Sequence, residues 1–190
     1  MSDDDRRITD SKVLAAMAHP LRRRLLDVLK VHGPATVSAL AEHTDQAVGN
    51  VSHHMKVLAG AKLVEQAPEL ANDLRERWWR LRVGSINWSP MDFDGDPAVA
   101  AVEQAATSLN LDRQASIVRA WLAKREGYDA GWVEAYFATE SWLHLSANEL
   151  AELSAEVQAL LNRWSEREIP DDGQPREPVF IFAHGVPAQP

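Results

Sequence analysis

Residues 46–64, QAVGNVSHHMKVLAGAKLV, hold the side chains best suited to reading another molecule. At the helical advance of about 100° per residue, Gly49, Ser52, His53 and Lys56 share one side, with Asn50 at its flank. Ala47, Val48, Val51, Met55 and Leu58 share the other, with His54 at its edge. The first side has no large apolar side chain. It offers donors, acceptors and one cation on short or planar groups, which suits the DNA major groove, where base edges present donors and acceptors and phosphates line the rim. Taken alone, the same pattern also describes an ordinary amphipathic surface helix.

Such a face needs neighbours to aim it. ATVSALAEHTDQ (35–46) reads as a short helix around Val37, Leu40 and Ala41, followed by a polar turn at Thr44-Asp45-Gln46. Two short helices joined by a three- or four-residue turn form a helix-turn-helix, whose second helix is the reader. Downstream, LVEQAPEL and RERWWRLRV read as the two strands of a hairpin wing around a charged tip. RWWRLRV alternates, with Trp79, Leu81 and Val83 inward and Trp78, Arg80 and Arg82 outward; Trp78 is expected to be covered by the second half of the chain or a partner subunit. Arg75 and Arg77 flank the tip, where a wing reaches the minor groove or nearby phosphates, although Glu69, Asp73 and Glu76 dilute the charge.

On MAHPLRRRLLDVL (17–29), VSALAEHT (37–44), NVSHHMKVL (50–58) and LVEQA (63–67), the chain resembles ArsR-type winged helix-turn-helix bacterial regulators over roughly residues 12–83. The resemblance implies a homodimeric, usually repressing DNA-binding protein. It puts Asn50, Ser52, His53 and Lys56 at DNA-facing positions and Val51, Met55 and Leu58 in the core. His54 matches a histidine that packs at the core edge in such proteins. Two departures weaken the ends of the reader helix. Lys62 stands where a helix-ending glycine is common, costing roughly 1 kcal/mol if left-handed, and Ala47 stands where a capping serine is common.

The remaining elements follow from local signals. Residues 1–10 are polar and read as a disordered tail. Ser11 caps a short helix through Ala18; Pro20 starts a second that runs to about His32, where Gly33-Pro34 stops it. Arg22-Arg23-Arg24 crowd its first turn, where the helix dipole disfavours cations; a phosphate contact and internal ion pairing both account for them. SINWSPMDFDGDP (85–97) reads as a linker. From Pro97 to about 126 the chain is one long helix or two broken near Asn110–Asp112, and is expected to form a dimer interface. WVEAYF, SWLHLS and PVFIFAHGVP read as strands, and Ser146–Glu149 as a capping box opening a helix to about Arg167. Trp132, Tyr136, Phe137, Trp142, Phe180 and Phe182 either line a pocket for a small-molecule effector or fill an ordinary core.

The net charge of −8 is unevenly spread: −3 over residues 1–5, +5 over 6–90 and −10 over 91–190. Local charge matters most for phosphate binding, since salt confines fields to about 8 Å. The chain has no cysteine, which excludes disulfides and thiolate zinc sites and fits a reducing compartment. Its seven histidines show no ligand spacing, so no metal site and no cofactor are expected. The opening residues do not read as a signal peptide, and no apolar run approaches a membrane span, so a cytoplasmic location without membrane contact is expected. Ser141 and His144 lack a G-x-S-x-G elbow, and the chain is read as not being an enzyme.

The fold expected is mainly α with small β: a winged helix-turn-helix domain over 11–84, a linker over 85–96, and a helical and α+β region over 97–190 for dimerisation and effector binding. The function expected is a homodimeric repressor binding double-stranded DNA at an inverted repeat. The alternatives are a winged-helix module for protein contacts, or a ligand-binding or hydrolytic protein using its second half.

Overall fold

A computed structural model describes residues 5–7, 11–71, 73, 76–82, 85–87 and 97–189. The described chain is mainly helical, and it divides into two compact units between Ser116 and Ile117.

In the first unit, α1 (Ser11–Met17) leads into α2 (Pro20–His32). The α2 start is fixed twice: Pro20 has no N–H to leave unpaired, and His19 Nδ1 accepts the Leu21 N–H at 3.2 Å. Gly33, at φ 76°, ends the helix in a conformation that would strain any other residue. Strand β2 (Ala35–Thr36) precedes α3 (Val37–Thr44) and α4 (Val48–Gly60). Strand β3 (Val64–Gln66), a 3-10 turn at Pro68–Leu70 and strand β4 (Trp78–Leu81) follow. β4 lies centrally, antiparallel to both β2 and β3, with Val64 opposite Leu81 and Gln66 opposite Trp79. As the alternation requires, Trp79 is buried, and Trp78 is half-buried; Val83 lies outside the described residues.

Leu14, Met17, Leu25, Leu40, Val51, Met55, Leu58 and Leu63 are fully buried in one core. α5 (Pro97–Lys124) is a single unbroken helix that adds Ala106, with Val99 and Val102 packed alongside. Arg113 of α5 makes a two-pronged ion pair with Asp27 of α2, at 2.7 and 2.5 Å, the planar fork matching the carboxylate.

Two expectations are corrected here. Asp5–Arg7 in the expected tail and Ser85–Asn87 in the expected linker are strands β1 and β5, paired in parallel with Asp5 opposite Ser85. Each is too short to show a strand pattern of its own, and each finds its partner far along the chain. The rest of the tail and linker lies outside the described residues.

The second unit contains a 3-10 turn at Arg125–Gly127, α6 (Ala130–Ala135) and α7 (Ala147–Ser165). The expected capping box is present: Ser146 Oγ accepts the Glu149 N–H at 3.3 Å, and Glu149 accepts the Ser146 N–H at 2.7 Å. The three expected strands are not. WVEA lies within α6, where the Asp129 carboxylate accepts the Gly131 N–H at 2.9 Å and so caps a helix start. SWLHLS and PVFIFAHGVP have no regular structure, because an apolar run becomes a strand only beside another strand. The region over 97–189 is therefore helical with extended segments, and the α+β expectation does not hold there.

Met55→Ala removes a fully buried side chain beneath α4. It should lower unfolding stability by about 2–5 kcal/mol, measured by urea denaturation; a loss under about 1 kcal/mol would contradict this core.

Candidate nucleic-acid interface

The turn between α3 and α4 sets the aim of the reader helix. The Thr36 hydroxyl accepts the Ala39 N–H at 3.2 Å to start α3, and buried Thr44 donates its hydroxyl to the Leu40 carbonyl at 2.6 Å near its end. Asp45 then adopts a left-handed conformation (φ 53°), and its N–H closes on the last carbonyls of α3. Asp tolerates this region better than most residues, since its short polar side chain bonds locally. α4 begins at Val48 with no side-chain cap from Ala47. Its far end is closed by Lys62 in the left-handed region at φ 57°, the strained stop expected from the missing glycine.

With Val51, Met55 and Leu58 at 0% exposure, α4 has one possible rotation about its axis. That rotation leaves Gly49, Asn50, His53 and Lys56 exposed and Ser52 half-buried. Asn50 Nδ2 donates to Gln46 Oε1 at 3.0 Å, so the turn contributes an amide that the helix pattern alone did not single out. Gly49 faces open space, leaving room for close approach. Val48, assigned to the buried stripe, is instead 51% exposed, and Ala47 is exposed with it. Both precede the point where α4 meets the core.

In the wing, Arg77 and Arg82 are exposed, and Arg75 lies outside the described residues. Arg80 is committed to Glu65, at 2.8 Å, and to Glu69; the hydrogen bond it donates to Glu65 and the charge of Glu69 raise its pKa. Trp78 Nε1 donates to Glu76 at 3.2 Å.

The arginine triplet has mostly structural work. Arg22 donates to the Ala16 and Ala15 carbonyls at 2.5 and 2.8 Å, and Arg24 donates to the His43 carbonyl at 3.1 Å. These are unsatisfied carbonyls at the ends of α1 and α3, where a cation is favoured. Arg23 is half-buried; burial, then the nearby charge of Arg113, push its pKa down to about 10 against the pull of Asp27.

His54 is buried at the edge of α4, its ring centroid 4.4 Å from that of His19 and 5.4 Å from that of His53. Its Nδ1 has no hydrogen-bond partner among the described residues. Burial first, then the charges of His19, Arg22 and His53, lower its pKa. Among the described residues no group of three His, Asp or Glu is placed to hold a metal ion, and no helix is long and apolar enough to cross a membrane.

The six aromatic residues considered for an effector do not sit on strands. Tyr136 stacks on Trp121 at 4.7 Å, and Phe180 lies 5.9 Å from Phe182. Phe137 and Trp142 are 65% and 67% exposed, and Trp132 is half-buried. Ser141 and His144 are both exposed in a segment without regular structure.

A reader helix held by its buried stripe, preceded by a short helix and tight turn and followed by an antiparallel hairpin, defines a winged helix-turn-helix protein. Residues 17–67 match a helix-turn-helix domain family. The transcriptional repressor SdpR of Bacillus subtilis is 35% identical over 54 residues, which covers 28% of this chain and 59% of that protein; the chain thus spans little more than half of this relative. Among solved structures, a possible transcriptional regulator for arsenical resistance is 30% identical, covering 55% of this chain and 94% of its own, with a TM-score of 0.33. NolR from Sinorhizobium fredii is 22% identical, covering 53% and 83%, with a TM-score of 0.34. Residues 17–67 thus form a helix-turn-helix domain similar to those of bacterial transcriptional regulators.

The buried histidine makes stability depend on pH. Because the folded-state pKa of His54 lies below its ordinary 6.5, the unfolded chain binds more protons, and stability rises with pH through this range. It should be full above 6.5 and fall as the pH drops below it. Thermal melts of wild type and His54→Phe test this. The variant should lose part of the acid-side slope; equal slopes would assign the effect elsewhere.

Proposed function

We propose that this protein is a DNA-binding transcriptional regulator that acts as a homodimeric repressor on an inverted-repeat operator in the cytoplasm. The observation that carries the reading is the division of α4: Val51, Met55 and Leu58 are fully buried, while Gly49, Asn50, His53 and Lys56 stand exposed on the opposite side. An ordinary amphipathic helix also shows a polar face, so the division carries weight through where this helix stands, after a tight turn and beside a wing that exposes Arg77 and Arg82.

In this reading Asn50, Ser52 and His53 meet base edges, with Gly49 permitting close approach. Lys56, Arg75 and Arg77 meet phosphates, and exposed Val48 offers apolar contact to a thymine methyl. Two-fold symmetry places the half-sites about 34–36 Å apart, or a multiple of that. The acidic second half, at −10 over residues 91–190, disfavours indiscriminate attachment to polyanions. Regulation by a non-metal small molecule acting on the aromatic residues of the second unit completes the proposal. Resemblance to repressors and regulators supports the class of function and leaves the operator open.

The test is a footprint on DNA upstream of the protein's own gene, with affinity followed against salt. An inverted repeat should be protected. His53→Ala should change base preference, whereas Lys56→Ala should weaken every site and flatten the salt slope by about one unit. If no fragment is protected and both variants match wild type, the DNA-reading proposal fails and the exposed face of α4 must be assigned to a protein partner.

A further inference from the structure

The second unit leaves an apolar stripe partly uncovered: Leu150 lies beside Gly185 and Arg167 sits over the Trp164 ring at 4.8 Å, but most of the stripe has no cover. On α7, Leu150, Leu153, Val157, Leu160 and Trp164 recur at alternating intervals of three and four, the repeat of a coiled-coil seam. Leu153, Leu160 and Trp164 are 37%, 43% and 57% exposed, and no described residue from 117 to 189 is buried. An apolar seam of this length left in water is costly, and its charges indicate what covers it.

Glu156 and Arg163 each stand one residue before a seam position, flanking it on the same side. Neither side chain has a hydrogen bond or ion pair among the described residues. When two copies of α7 are laid antiparallel, with Leu153 opposite Trp164 and Val157 opposite Leu160, Glu156 of each chain comes beside Arg163 of the other. Symmetry forms this pair twice. A parallel pair in register places Glu156 beside Leu161 instead, desolvating a carboxylate against an apolar group. An anionic lipid surface fits less well still, since the polar side carries Glu149 and Glu152 in addition to Glu156.

We propose that α7 docks antiparallel on α7 of a second copy, with Leu153, Val157, Leu160 and Trp164 as the seam and two Glu156–Arg163 pairs fixing its direction. This rests on the homodimeric reading and adds a contact outside the helix-turn-helix domain.

The test uses the full chain. Light scattering on a sizing column should give wild type the mass of two 21.1 kDa chains. Glu156→Arg and Arg163→Glu should each weaken the dimer about tenfold or more, and the double exchange should restore it to within about threefold, with helicity by circular dichroism unchanged throughout. The chain has no cysteine of its own, so a second measurement is direct. Chains carrying Leu153→Cys mixed with chains carrying Trp164→Cys should form an inter-chain disulfide on mild oxidation, and neither should do so alone. A wild-type dimer indifferent to both charge reversals, or cross-linking of Leu153→Cys with itself, would overturn the α7 seam while leaving the dimeric regulator intact. A monomeric wild type would overturn both.

Discussion

The structure depends on one buried stripe. Val51, Met55 and Leu58 sit at zero exposure on one side of α4, and the three cannot all remain there if the helix turns by even one residue about its axis. Every property of the opposite face is a consequence. The polar residues need no contacts of their own to hold their direction, because the apolar ones supply it from behind. Each element around the stripe serves the same constraint: α2 and α3 form the floor, and the β4 strand closes it with Trp79.

The ends of the helices show how the same chain positions its elements. Arg22 and the exposed Arg24 fold back along the surface and stitch α1 and α3 to α2 through backbone carbonyls. Arg113 holds α5 to α2 through Asp27. Guanidinium groups suit this work because they remain charged when partly dehydrated and deliver several hydrogen bonds in a fixed plane. Part of the positive charge of residues 6–90 is therefore structural, while Lys56, Lys62, Arg77 and Arg82 stay exposed.

What was legible in the residues divides along the same physical line. Local signals read well: Pro20 and Gly33 bound α2, Ser146 and Glu149 cap α7, and the alternation of RWWRLRV puts Trp79 inward, since each depends on neighbours a few residues away. The face of α4 was also legible, because a 3.6-residue period separates wet from buried side chains wherever the helix touches the core. Val48 escaped that rule, since it belongs to the period but precedes the contact. The partners of Arg22 and Arg24 were illegible for another reason: they are backbone carbonyls, which every residue carries. The apolar runs WVEAYF and PVFIFAHGVP carry strand-forming composition but find no strand beside them, and Asp129 turns the first into a helix. The pairing of Asp5–Arg7 with Ser85–Asn87 was equally hidden, as three-residue segments such as Asp-Arg-Arg and Ser-Ile-Asn announce nothing until they meet.

The engagement of these arginines has a consequence for the proposed grip on DNA. Non-specific attraction to DNA scales with the number of phosphates a protein can neutralise. For the proposed reader, Arg22 and Arg24 keep their charge but are held by carbonyls, Arg80 is offset by Glu65 and Glu69, and Lys56, Arg77 and Arg82 stay exposed. In that proposal, attraction to DNA of any sequence scales with those exposed cations and weakens as salt rises, whereas preference among sequences rests on the face of α4.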